Sequence, residues 1–235
     1  MSMKEIINRH IAAKTRAKFP IELRKFALSI HFYSRKAYEY LRSEWRCLPS
    51  ESTIKSWYRV VDGTPGFTDE AFSALKLMVE TKATLKKGRT TKKHGREVVC
   101  NLVLDEISIK ESVQFLNNEP QGFVNMGAGL CADADNQELA NHMLTFMVVG
   151  LNGAWKLPIG YFAIRTLTGK ERANILKTCL EMLHETGVKL CSLTFDGQSS
   201  TITMVKELGA NFNYGTSKFQ PWFEHPITKE PVYVL

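Results

Sequence analysis

Two aspartates in this sequence stand where apolar side chains are expected. Asp105 interrupts NLVLDEISIK, where Val98, Val99, Leu102, Val103, Leu104, Ile107 and Ile109 read as a strand buried on both faces. Asp196 closes a second apolar stretch, Lys189–Phe195, and is followed by Gly197. A carboxylate in such a setting loses hydration unless it is paired or holds a cation. Taken singly, each aspartate also fits a turn at a strand end. Taken together, two adjacent carboxylates repel one another unless a divalent cation lies between them, and Mg2+ (or Mn2+) prefers oxygen donors of this kind. Ions held in this way can activate a water or a 3′-hydroxyl and stabilise the leaving oxygen in phosphodiester cleavage.

Other acids and bases offer less. Glu106 follows Asp105 and should face the opposite side of the strand, because strand side chains alternate. Asp133 and Asp135 read as a solvated loop, and His31, His94, His142, His184 and His225 show no ligand spacing. The five cysteines form no CxxC pair, so reduced thiols are expected rather than a disulfide framework or zinc knuckle. There is no phosphate-cradling glycine loop, nucleophile elbow or Cys-His arrangement.

The elements that must position the two aspartates alternate in a definite order. Residues 97–113 read as a long strand turning back through 117–120 to 122–125, with a loop at 127–137. His142–Leu151 and Trp155–Arg165 read as strands joined by a type I′ turn at Asn152-Gly153. Thr168-Gly-Lys-Glu171 is a capping box opening a helix that Gly187 stops. The strand ending at Asp196 follows, then a helix capped by Ser199 or Ser200, a loop, and a last apolar strand from Val232. Strand, strand, strand, helix, strand, helix, strand is the order of a ribonuclease-H-like core. In such a core the first and fourth strands are neighbours, which would set Asp105 beside Asp196.

Upstream, the pattern is helical. Residues 1–19 are polar and basic and read as a short helix or a disordered arm. Pro20 opens a helix with Leu23, Phe26, Ala27 and Ile30 on one face. Ser34 caps a second helix expected to bury Ala37, Tyr40 and Leu41, and Ser50 caps a third with Ile54, Trp57 and Val61 inward. The third would present Lys55, Tyr58 and Arg59 outward, as a helix-turn-helix module does toward a major groove. A further helix begins after Thr68, so the helical DNA-binding segment is placed at residues 20–81. Residues 82–97 follow as a basic linker whose Lys86, Lys87, Arg89, Lys92, Lys93 and Arg96 could grip phosphates or serve as a nuclear import signal. Residues 98–235 complete a mixed α/β chain.

Charge agrees with this division. Residues 1–99 carry 21 Lys and Arg against 10 Asp and Glu, a net of +11, while residues 100–235 carry 10 against 14, a net of −4. A basic first half is the electrostatic footprint of nucleic-acid contact. No apolar run reaches the ~20 residues of a membrane span, and MSMKEIINRH lacks the apolar core of a signal peptide.

LRKFALSIHFYSRKAYEYLR, LPSESTIKSWY and DGTPGF in the first half, with LVLDEISIK, GLNGAWKLPIGYF, TGKERANILKTCLEML and LTFDGQSS in the second, resemble the P-element family of DNA transposases, including the THAP-domain transposases of animals. The resemblance covers about residues 20–235. It implies a helix-turn-helix segment binding double-stranded DNA at transposon ends, then a ribonuclease-H-like catalytic domain of the DDE type. Asp105 and Asp196 would be its first two acids, with Mg2+ or Mn2+ as cofactor, a nuclear location and possible homo-oligomers. The zinc-binding THAP domain, the GTP-binding insertion and the third acid, a Glu, are not found in the sequence. Two of three acids are therefore expected here. A non-catalytic DNA-binding regulator derived from a transposase is the alternative, and a nuclease that completes its site by oligomerising is a third reading.

Overall fold

The computed structural model describes residues 18–45, 47–58, 63–84, 97–116, 119–127 and 138–235. The chain divides into two compact units, Met1–Asp62 and Gly63–Leu235. The first holds three helices, α1 (Ile21–Tyr33), α2 (Arg35–Glu44) and α3 (Glu51–Tyr58). Their core is Leu23, Ala27, Tyr38, Leu48 and Ile54. Ser34 caps α2 by accepting from the Ala37 N–H at 3.1 Å, and Ser50 accepts from the Thr53 N–H at 3.2 Å. The buried stripe of α2 is rotated from the one expected. Tyr38, Leu41 and Trp45 face the core, while Ala37 and Tyr40 are exposed. Tyr38 takes the inward place because its hydroxyl, buried, donates to the Pro49 carbonyl at 2.6 Å. Burial pushes that hydroxyl's pKa up to about 12.

The second unit is built on a mixed sheet. Its strands are β1 (Gly66–Phe67), β2 (Val99–Ser108), β5 (His142–Gly150), β6 (Lys156–Ile164), β7 (Lys189–Thr194), β8 (Trp222–Glu224) and β9 (Pro231–Val234), in the order β1-β6-β5-β2-β7-β9-β8. A separate ladder pairs β3 (Gln114–Leu116) with β4 (Glu119–Gln121). Central β2 is antiparallel to β5 and parallel to β7. Cys100, Leu102 and Leu104 are buried and alternate with half-buried Asn101 and Val103, so one face of β2 is covered and the other is not. This corrects the expectation of a strand buried on both faces. The covering helices are α4 (Asp69–Thr84), α5 (Gly169–Glu185) and α6 (Ser199–Glu207), whose Phe72, Leu75, Leu176, Leu180, Met204 and Val205 join the sheet's buried face.

The domain boundary falls at 62/63, not near residue 81. Phe67 lies within 5.0–6.0 Å, ring to ring, of Phe72, Phe146 and Phe162, and β1 pairs with β6, so the segment beginning at Gly63 belongs to the sheet. The β5–β6 connection also differs from the type I′ turn expected. Gly153 is not among the glycines of positive φ, as that turn requires, and Leu151–Ala154 form an open loop closed by the Gly150 N–H on the Trp155 carbonyl at 3.0 Å. The Asn152 side chain is engaged elsewhere, accepting from the Val99 N–H and donating to the Glu97 carbonyl. The capping box of α5 is formed by Thr168 and Glu171, and Gly187 ends the helix with φ +79°. At the far edge, β8 and β9 form a hairpin where only one strand was anticipated.

Candidate functional site

Asp105 and Asp196 line one cleft beyond the paired part of the parallel neighbours β2 and β7. The ladder runs Asn101↔Ser192, Leu102↔Leu193 and Val103↔Thr194. The pairing ends there, and the chain runs on from β7 through Phe195 to Asp196, while β2 runs on through Asp105. Within the ladder, Asn101 Oδ1 accepts from Ser192 Oγ at 2.8 Å, and Asn101 Nδ2 donates to Thr194 Oγ1 at 3.1 Å. On the other flank, Thr145 Oγ1 donates to the Asp105 carbonyl at 3.0 Å.

Both carboxylates are exposed and line one shallow cleft, together with Leu104, Glu106, Leu144, Arg172, Phe195, Thr201 and Met204. Asp105 accepts from the Glu106 N–H at 2.9 Å, and Asp196 from the Gln198 N–H at 3.4 Å, each through Oδ1. Gly197, with φ +72°, turns the chain from Asp196 toward α6. Two solvated carboxylates in one cleft are donors that suit a hard divalent cation. Among the described residues no group of three or more His, Cys, Asp or Glu gathers to hold a metal. The residues thus fit such an ion in kind, as part of a ligand set.

Glu106 does face away from Asp105, but it is part of the same structure. Its Oε2 accepts from Arg172 Nη1 at 2.7 Å, and the two side chains are 11% and 6% exposed. Arg172 Nε also donates to the Leu167 carbonyl at 3.4 Å. Arg172, like Asn101, was not singled out from the sequence, because its partner is 66 residues away and no local pattern marks it.

Of the residues chosen for DNA contact, Lys55 is exposed on α3 and pairs with Glu51 at 3.0 Å. Glu51 also meets Arg35 at 2.9 Å, and the Lys55 ammonium, then Arg35, hold its carboxyl below the usual range. Arg59, Lys86, Lys87, Arg89, Lys92, Lys93 and Arg96 lie outside the described residues, as do Asp133, Asp135 and the side chain of Tyr58.

An antiparallel triplet, a fourth strand parallel to the first and two acids at their adjoining ends define a ribonuclease-H-like domain. Residues 63–209 match the family model "TNP-like, RNase H N-terminal domain", and residues 1–57 match "Transposable element P transposase-like, HTH domain". The chain belongs to the P-element-type transposase family. It is 28% identical over 211 residues to human DNA transposase THAP9, covering 89% of this chain and 22% of that protein. Its fold is similar to that in the Drosophila P element transposase strand transfer complex, with a TM-score of 0.65 and 20% identity, covering 94% of this chain and 42% of that one. The chain therefore spans about a fifth of the length of its curated relative.

Proposed function

We propose that this chain is part of a P-element-like DNA transposase acting in the nucleus. Its helical unit and basic segment bind double-stranded DNA, and its ribonuclease-H-like unit supplies two of three metal-ligating acids. The observation that supports this reading is that Asp105 and Asp196, on the parallel neighbours β2 and the segment leaving β7, line one cleft. A divalent cation bound there supplies Lewis-acid activation of the phosphodiester and of the attacking oxygen. The chain's own part is to hold the two carboxylates at fixed spacing while Asn101, Ser192 and Thr194 keep the strands in register. Membership of a family whose relatives include a DNA transposase supports a DNA substrate.

Mn2+ titrated into the full chain, followed by paramagnetic broadening of backbone resonances, tests this assignment. Broadening is expected around residues 105 and 196, and either Asp105→Asn or Asp196→Asn should abolish it. Broadening that survives both substitutions would place the metal elsewhere and overturn the assignment.

A further inference from the structure

The backbone ladder alone does not hold the two aspartates together. Pairing of β2 with β7 ends at Val103–Thr194, whereas pairing of β2 with β5 continues to Ser108–His142. Past Thr194, β7 turns off through Phe195, Asp196 and Gly197 into α6, so the tip of β2 keeps a strand neighbour on one side only.

A connection through side chains closes that gap. Glu106, next to Asp105, meets Arg172 at 2.7 Å in a pair almost fully removed from water. Arg172 stands near the start of α5, whose end is fixed by the Thr168–Glu171 capping box and by the Arg172 Nε contact to Leu167. That end of α5 lies directly against α6: a Cβ on Gly169 would come within 2.5 Å of Thr203 Cγ2 and 3.1 Å of the Met204 nitrogen. The helix touched in this way is the one that Asp196 leads into. From Asp105 the path runs through Glu106, Arg172, the first turn of α5 and Gly169 to α6, and so back to Asp196.

We propose that the Glu106–Arg172 ion pair is a positioning couple that sets the spacing of Asp105 and Asp196, acting from the wall of their cleft that α5 covers. This rests on the metal reading above and deepens it. A buried ion pair is often no more stabilising than apolar side chains of similar volume, so the role assigned to this pair is direction and distance rather than stability. The Arg172 guanidinium offers donors in a rigid plane, so one carboxylate placement satisfies it.

The double variant Glu106→Met/Arg172→Met separates position from stability. It leaves no lone buried charge, so its Tm should remain within a few degrees of the wild type. Amide hydrogen exchange at residues 105–108 and 196–198 of the full chain should nevertheless accelerate at least tenfold, with β5 amides at 144–148 unchanged. Mn2+ affinity should fall at least tenfold, and Arg172→Lys should recover part of it. A double variant with wild-type exchange at both tips would overturn the proposal, whatever its metal affinity. If the wild type binds no Mn2+ at Asp105 and Asp196, the metal reading fails alone, and the exchange result still decides whether the couple holds the two tips.

Discussion

Asp105 and Glu106 are consecutive, and the two-residue period of a strand gives them opposite environments. One is exposed at the open end of the sheet, and the other is enclosed beneath α5. Enclosure makes the second acid depend on its partner. Removing Arg172 leaves a carboxylate with little water and no cation, and removing Glu106 leaves a guanidinium in the same condition. Arg172→Met alone and Glu106→Ala alone are each expected to destabilise the chain by about 3–5 kcal/mol, the usual cost of breaking rather than replacing a buried pair. Asp105→Asn, one residue away but solvated, should change stability by no more than about 0.5 kcal/mol. Urea unfolding of the three variants checks this, and an Arg172→Met midpoint equal to that of the wild type would contradict it. The sequence shows Asp105 because a charge breaks an apolar run, and hides Arg172 because nothing near residue 172 announces a partner at residue 106.

At the scale of elements, α5 was legible because both its ends are written locally, by Thr168 with Glu171 and by Gly187. The parallel neighbours β2 and β7 were legible from element order, and with them the cleft that Asp105 and Asp196 both line. The membership of α4 was not, since Phe72 and Leu75 mark an apolar face without saying which core receives it. The β8–β9 hairpin was missed because Trp222–Glu224 is too short to show a period, and Phe223 is fully buried through contacts made elsewhere in the chain. That hairpin carries its own pH dependence. His225 is buried at its turn, where Nδ1 accepts from the Ile227 and Thr228 N–H groups at 3.2 and 3.3 Å. Burial, then the neighbouring His184, hold its pKa below the ordinary value of 6.5, against smaller opposing effects from Leu180, Glu230 and Glu181. The unfolded chain therefore takes up a proton near pH 6.5 that the folded chain still refuses. Stability from this group is complete above that pH and is lost as pH falls toward the folded value. The urea midpoint should decline from pH 7 to 5.5 in the wild type and decline less in His225→Gln, whereas equal slopes would exclude His225 as the source.

For the whole molecule, the division of charge matters more than its total. The first 99 residues carry the positive excess and the remainder is mildly acidic, so the sheet that bears the aspartates is not itself a strong electrostatic lure for DNA. In the function proposed above, the basic residues are the part that would draw DNA and the two acids the part that would act on it. With two carboxylates and no third ligand among the described residues, the chain alone is expected not to nick supercoiled DNA in Mg2+. Nicking that disappears in both Asp105→Ala and Asp196→Ala would show the site to be complete. Binding is separable from cleavage through its salt dependence. Each phosphate neutralised contributes about 0.9 to the slope of log affinity against log salt. Replacing Lys86, Lys87, Lys92 and Lys93 with Gln should thus flatten the slope by up to about 3.6. Lys55→Gln should flatten it by less than about 0.9, since that ammonium must first leave Glu51. Fluorescence anisotropy on a labelled duplex across a salt series measures both, and a slope untouched by the four replacements would remove residues 86–93 from the DNA interface.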